Sequence, residues 1–417
     1  MKLKSFKIKS YRSCQNVQFD IKNNLTTLIG LNGAGKSNVL NSILLIKKVF
    51  GVHHRYYRSV DEESLSGNCF FEVVLENNDN LVYVKDKIVY KTDDNNQDEV
   101  VYVDLQWKFS QYLDNKWVNI PIEYILNDGK SNRLYFLHSL RRQRASVKKM
   151  KELSLFFDSQ TFKDHLLPLV RKVVKFFDSI SYYSASQFSD PTRCPISVEF
   201  EDGESSVRYS RLGAHEAFVS ELYQTWNANK KDFKIYLNLV GPDGINLVQD
   251  IYFKTVEMPS SVYKVQSGAK IKKVEKQKTL AVPIFVIDEN ILSPNQLSEG
   301  TLKTLALIFY ILTDKSDILL IEEPEVCIHH GLLEDVLELI KSRSRTKQII
   351  MSTHSDYVLD HIAPESLLLV RYSPKYKTKV FPIYKVMGAS NYNILKDYLN
   401  NTGNLGEYWR EKGFDYE

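Results

Sequence analysis

Apolar and polar positions alternate twice near the start of the chain, around Leu3, Phe6 and Ile8 and again around Val17, Phe19 and Ile21. That pattern predicts two strands joined by a polar turn. The run Leu25 to Ile29 reads as a short buried strand that leads directly into a glycine-rich loop. From Ser37 to Val49 the period lengthens, with Val39, Leu40, Ile43, Leu44 and Val49 at helical spacing, so the order is strand, loop, helix. Further strands are expected at Phe70–Leu75, Leu81–Val84, Val100–Trp107 and Trp117–Ile122. They are separated by the turn-like stretches NNDN and TDDNNQDE.

Residues from Leu134 to Phe177 read as helices that carry a basic cluster, Arg141, Arg142, Arg144, Lys148, Lys149 and Lys151. A strand is expected near Ile180 to Ser184, followed by a loop with Pro191 and Pro195 and a mixed stretch to Leu280. Gly241, Pro242 and Gly244 mark a turn in that stretch, and SGAKIKKVEKQK is a second basic segment with the look of a hairpin tip. The last third alternates buried runs with helical ones: strand Val282–Ile287, helix Gly300–Leu312, strand Ile318–Ile321, helix Leu332–Lys341, strand Gln348–Met351. Such alternation predicts an α/β fold in which helices cover a parallel sheet. No repeat or sustained heptad is found, so no long coiled-coil arm is expected.

In 417 residues no linker divides the chain cleanly, which predicts one large head with insertions. The expected parts are residues 1–125 as a β-rich first lobe, 126–180 as a helical insertion and 181–280 as a mixed insertion with a basic hairpin. Residues 281–372 form the second lobe and 373–417 a C-terminal strand and helix. With 55 basic against 51 acidic residues the net charge is +4, so a nucleic-acid partner would need local patches, the 141–151 and 270–278 segments being the candidates. Cys14, Cys69, Cys194 and Cys327 stand too far apart for a zinc or disulfide pattern and suit a reducing cytoplasm. Neither a signal peptide nor a bilayer-length apolar run is seen, so a soluble, cytoplasmic protein is expected.

Gly30-Leu-Asn-Gly-Ala-Gly35-Lys36-Ser37 fits the phosphate-binding loop Gly-x-x-x-x-Gly-Lys-Ser/Thr and has the strand and helix this loop requires. Its glycines let backbone amides wrap phosphates, Lys36 reaches the terminal phosphates and Ser37 is placed to ligate Mg²⁺. Ile318–Ile321 runs into Glu322, Glu323 and Pro324, two carboxylates at a strand tip, where Glu322 suits a Mg²⁺ shell and Glu323 suits orienting or deprotonating water. Ser298 and Gly300 open the helix after Leu297, a place that binds anions and is also an ordinary cap. His354 in Met351-Ser-Thr-His-Ser355 follows the next buried strand as a candidate γ-phosphate or water contact. Gln187 is a weaker candidate for the metal or the water, since polar loops commonly contain glutamine.

With these pieces in order, the chain resembles the ABC-type ATPase heads of the SMC, RecF and OLD families. It is most like the short prokaryotic defence ATPases of OLD-like, Septu and PARIS systems, on the segments FKIKSYRSCQNVQFDI, GLNGAGKSN, LSEGTLKTLAL, ILLIEEPE and STHS. The resemblance implies a P-loop fold of two lobes, ATP and Mg²⁺ as cofactors, and head-to-head copies that sandwich ATP between the P-loop of one and the signature of the other. It places Asn32, Gly33 and Asn38 near the phosphates and lets Arg12 contact the nucleotide. The signature reads Ser-Glu-Gly-Thr in place of Ser-Gly-Gly-Gln, and the metal position is Glu322 in place of Asp, both in the manner of the defence branch. OLD nucleases continue into a Toprim domain, for which the stretch after His354 is too short. A separate nuclease or toxin subunit is therefore implied, with RecF-like repair or an ATP-gated scaffold of little turnover as alternatives.

Overall fold

In the computed structural model the opening alternation becomes an antiparallel pair, Lys2–Tyr11 with Cys14–Asp20, in which Phe6 faces Phe19 and Ile8 faces Val17. The structure describes residues 1–50, 68–78, 80–92, 98–102, 105–112, 115–120, 159–201, 213–266, 270–401, 403–411 and 413–414. Two units are built from interleaved segments: Met1–Tyr182, Lys315–Glu322 and Lys341–Glu417 form one, and Tyr183–Asp314 with Glu323–Ile340 form the other.

In the first unit, strand Lys2–Tyr11 also pairs with Cys69–Asn77, which pairs with Asn80–Thr92, so the sheet grows by antiparallel neighbours. Asp98–Tyr102 and Gln106–Phe109 both lie along Asn80–Thr92, and the sheet continues to Val118–Asn119. The expected single strand Val100–Trp107 is thus two strands. The 13-residue Asn80–Thr92 is long enough for Ile88 to face Tyr102 while Val82 faces Phe109. Of the expected strand Trp117–Ile122, the described residues end at Ile120, and among them Val118–Asn119 is strand.

A second sheet runs in the order Lys377–Pro382, Leu367–Ser373, Leu25–Ile29, Gln348–Thr353, Ile318–Glu322, Ser181–Ser184. Its centre is parallel, as the doubly buried apolar runs require. Helix Lys36–Phe50 packs between the sheets. Its last residue, Phe50, stacks on Phe177 of helix Leu167–Asp178 at 4.9 Å and meets Trp107 edge-on at 6.0 Å. Trp107 is fully buried, and its indole N–H donates to the Ile120 carbonyl at 3.1 Å, so the ring's one polar group is satisfied inside the core. The expected helices between Leu134 and Phe177 are described only from 159 onward, and there they are helical. The basic cluster at 141–151 lies outside the described residues.

The second unit gathers helices Ala214–Ala228, Lys230–Val240 and Glu299–Thr313. The last is buried on nearly every side, which fits its all-round apolar sequence. Phe218 and Tyr236 meet Phe309 edge-on at 5.7 and 5.4 Å, and the Tyr236 hydroxyl donates to the Leu305 carbonyl. Beside them runs a long antiparallel ribbon, Asp250–Gln266 against Lys270–Ile287. The expected strand Val282–Ile287 is the end of that second strand, which begins twelve residues earlier. Among the described residues no helix is long and apolar enough to cross a membrane.

Candidate functional site

Strand Leu25–Ile29 delivers the glycine-rich loop, and close packing explains why glycines stand there. A Cβ on Gly30 would fall 2.3 Å from the Val370 carbonyl oxygen, and one on Gly35 would fall 2.2 Å from the Thr378 hydroxyl. Gly33 and Gly35 also hold φ of +78° and +100°, the region that side chains disfavour. Lys36 is buried, and its ammonium donates to the carbonyls of Gly30 at 2.9 Å and Leu31 at 3.3 Å. The cation is thereby folded back over the loop whose amides open the helix. Asn32, Gly33 and Ser37 are at that mouth, all three exposed.

A chain of hydrogen bonds braces the loop from behind. Arg12, in the turn after Tyr11 with φ +47°, donates to the Asn38 side-chain oxygen at 3.5 Å. Asn38 donates from its amide to the Ser13 hydroxyl at 2.7 Å. Thr378, fully buried on the C-terminal strand, lies 2.7 Å from that hydroxyl and 3.0 Å from the Ala34 carbonyl, and its backbone N–H donates to the Ser13 carbonyl at 3.0 Å. Sequence reasoning found Arg12 and Asn38 but missed Ser13 and Thr378. Common hydroxyl residues 365 positions apart carry no local signal. Thr378→Val removes the buried hydroxyl at constant shape and is expected to cost about 1–3 kcal/mol of stability in denaturant unfolding, with Thr378→Ser close to wild type. Equal stability of the valine variant would show that the brace contributes nothing.

Parallel pairing sets Glu322 beside this loop. Ile29 is in register with Thr353, and Ser352 is in register with Glu322. The three strand tips therefore stand side by side at ladder spacing of about 4.8 Å. His354, exposed, follows the middle tip. Glu322 is half-buried and accepts a hydrogen bond from the Tyr182 hydroxyl. The Ser352 hydroxyl, on the same sheet face as Glu322, is buried without a hydrogen-bond partner among the described residues. Glu323 begins the turn with φ +47°, a conformation that costs a non-glycine residue roughly 1–2 kcal/mol and that recurs at functional sites. The hydroxyl and carboxylate oxygens of Ser37 and Glu322 are the hard donors that Mg²⁺ takes, and the partnerless Ser352 oxygen adds a further polar group on that side.

Ser298, Gly300 and Gln187 belong to the second unit. Ser298 is exposed at the start of helix Glu299–Thr313, where its hydroxyl accepts from the Thr301 N–H at 3.1 Å as an N-cap. Gly300 lies against the loop after Glu323, since a Cβ there would come within 2.6 Å of the Cys327 carbonyl oxygen. One turn on, the buried Lys303 ammonium sits 2.5 Å from Glu299 and 3.5 Å from the Cys327 sulfur. Its hydrogen bond and its charge hold the Glu299 carboxyl below the usual range. Gln187 is exposed in the short helical turn Ala185–Phe188. Among the described residues no cluster of three or more His, Cys, Asp or Glu side chains could hold a metal.

A strand, a glycine loop with two left-handed glycines, a helix and a carboxylate-tipped parallel strand two places along define a P-loop nucleotide-binding protein. The chain belongs to the AAA ATPase domain family, whose model matches residues 1–236, and it is an ATPase in class. A second model, described as AAA domain, putative AbiEii toxin, Type IV TA system, matches residues 272–360. Among solved structures, the SMC head domain from Thermotoga maritima is similar at 13% identity, covering 92% of this chain and 99% of that one with a TM-score of 0.41. An SmcHead bound to the C-winged helix domain of ScpA is similar at 14% identity, with coverages of 93% and 99% and a TM-score of 0.46. An Smc head domain with an extended coiled coil, bound to the C-terminal domain of ScpA and derived from Pyrococcus furiosus, gives 12%, 95%, 98% and 0.42. No curated protein matches the chain.

Proposed function

We propose that the chain is the ATP-hydrolysing sensor of a prokaryotic defence complex, whose nucleotide sites close when two copies meet head to head and whose state controls a separate nuclease or toxin. The observation that carries the nucleotide chemistry is the registered edge of three parallel strands, which sets the glycine loop, His354 and Glu322 in one row. In this reading Asn32, Gly33, Gly35, Lys36 and Asn38 bind the phosphates, with Arg12 behind them. Ser37 and Glu322 hold Mg²⁺, with Gln187 reaching the same ion or its water. When bound, the ion supplies charge that polarises the phosphates. Glu323 takes a proton from the attacking water, His354 orients that water or the γ-phosphate, and Ser298 and Gly300 close over the nucleotide held by the other copy. The expected division into lobes and insertions, 1–125, 126–180, 181–280, 281–372 and 373–417, is retained as a functional partition.

The defence role rests on the resemblance of the signature and of Glu322 to that branch and on the match to a model described by a toxin–antitoxin system. Native purification followed by identification of what accompanies the chain tests it. A second protein with nuclease or toxin chemistry, released or activated by ATP, is expected. A chain that copurifies with no such protein and whose turnover rises on added DNA would replace this reading with that of a repair ATPase.

Nucleic acid is the partner that the basic segments suggest. Residues 270–278 belong to a strand paired along its length in the ribbon. Reversing the charge of Arg141, Arg142 and Arg144 is expected to weaken DNA or RNA binding and to flatten its salt dependence, by roughly 0.9 in log–log slope for each phosphate no longer neutralised. An unchanged slope in titrations at several salt concentrations would leave the cluster a solvated surface.

A further inference from the structure

The Glu322 position carries a second feature that the site's motifs do not contain. Glutamate is one methylene longer than aspartate, so its carboxylate has an extra rotatable bond and a wider arc to sweep. In this structure one of its two oxygens, Oε2, accepts from the Tyr182 hydroxyl, while Oε1 has no hydrogen-bond partner among the described residues. Tyr182 belongs to the strand Ser181–Ser184, which borders Ile318–Glu322 in the sheet, so the phenol reaches Glu322 from an adjacent strand. On the other side of Ile318–Glu322 stands Ser352, in register with Glu322, with a buried hydroxyl that has no hydrogen-bond partner among the described residues. The carboxylate is therefore tethered from one neighbouring strand and faces an unmatched polar atom on the other.

We infer that Tyr182 is a positioning residue for the metal: it fixes one oxygen of Glu322 so that the other is presented to the divalent cation that accompanies the nucleotide. The inference rests on the reading of Glu322 as a metal-holding group. A phenol donating to a carboxylate is a charge-assisted bond, among the stronger kinds, and it leaves Oε1 as the oxygen that would hold a divalent cation.

The test uses the full chain and Mn²⁺ as the probe. Mn²⁺ affinity is measured by electron paramagnetic resonance in the presence of a non-hydrolysable ATP analogue, and analogue affinity is measured separately in EDTA by fluorescence. Tyr182→Phe is expected to weaken Mn²⁺ binding by about ten-fold while analogue binding in EDTA is unchanged, the scale of one lost hydrogen bond to a charged group. Glu322→Asp in the Tyr182→Phe background is expected to lose less than the product of the single effects, because the shorter side chain needs less restraint. Mn²⁺ affinity equal to wild type in Tyr182→Phe would overturn the assignment. An equal loss of analogue binding with and without metal would overturn it too, by showing a general structural role. Failure of the wild-type chain to bind the analogue in EDTA, with Lys36→Ala no worse, would instead sink the nucleotide reading itself.

Discussion

Lys36→Ala is expected to abolish measurable ATP binding, a loss of at least about a hundred-fold in a direct calorimetric titration. The ammonium is buried against the carbonyls of Gly30 and Leu31, so it is held in place before any phosphate arrives and has little freedom to lose on binding. Alanine removes the fixed cation and also takes from two loop carbonyls the donor they share, which loosens the amide cradle. Both effects act in the same direction. Wild-type affinity in the alanine variant, with an unchanged thermal midpoint, would take the glycine loop out of the assignment.

Glu323→Gln is expected to slow hydrolysis by roughly 10²–10⁴-fold while leaving ATP affinity within a few-fold of wild type. Glutamine keeps the size of the side chain and the left-handed backbone turn but cannot accept a proton from water. The chemical step is removed and binding is spared, so ATP-bound copies are expected to accumulate as dimers in size-exclusion chromatography with light scattering. Turnover at the wild-type rate would exclude Glu323 from proton transfer. Slow turnover with no dimer would keep that role and discard the sandwich.

The legible parts of this chain are those in which local chemistry and tertiary role coincide. Leu25–Ile29 is found with its expected ends because a buried apolar run is bounded by polar residues on one side and a glycine on the other. The helices at Lys36–Phe50 and Glu299–Thr313 follow from their spacing and, at Ser298, from the cap. The ribbon was only partly visible. Its 17- and 18-residue strands mix lysines with apolar residues and carry Pro259 and Pro283, which locally argue against long strands, so only the tip and the apolar end at Val282–Ile287 stood out. The split of Val100–Trp107 was hidden because its cause is the length of a neighbouring strand. Tyr182, Ser13 and Thr378 lie beyond local reading for a similar reason: each acts through a partner far along the chain, and none has a distinctive residue type or spacing.

Segments far apart along the polypeptide are tied together at the nucleotide loop and at the opposite end of the strand beside it. Gln348 exchanges two buried hydrogen bonds with the backbone of Leu3, and Thr378 clamps Ser13 and Ala34. During synthesis, the phosphate-binding sequence is therefore made 344 residues before Thr378 and receives its clamp only after Thr378 has left the ribosome. Contacts across so long a stretch form late, because most of the intervening chain must first be ordered. A polypeptide that has not reached Thr378 thus carries the motif without the brace behind it, and the loop gains that support only late in folding.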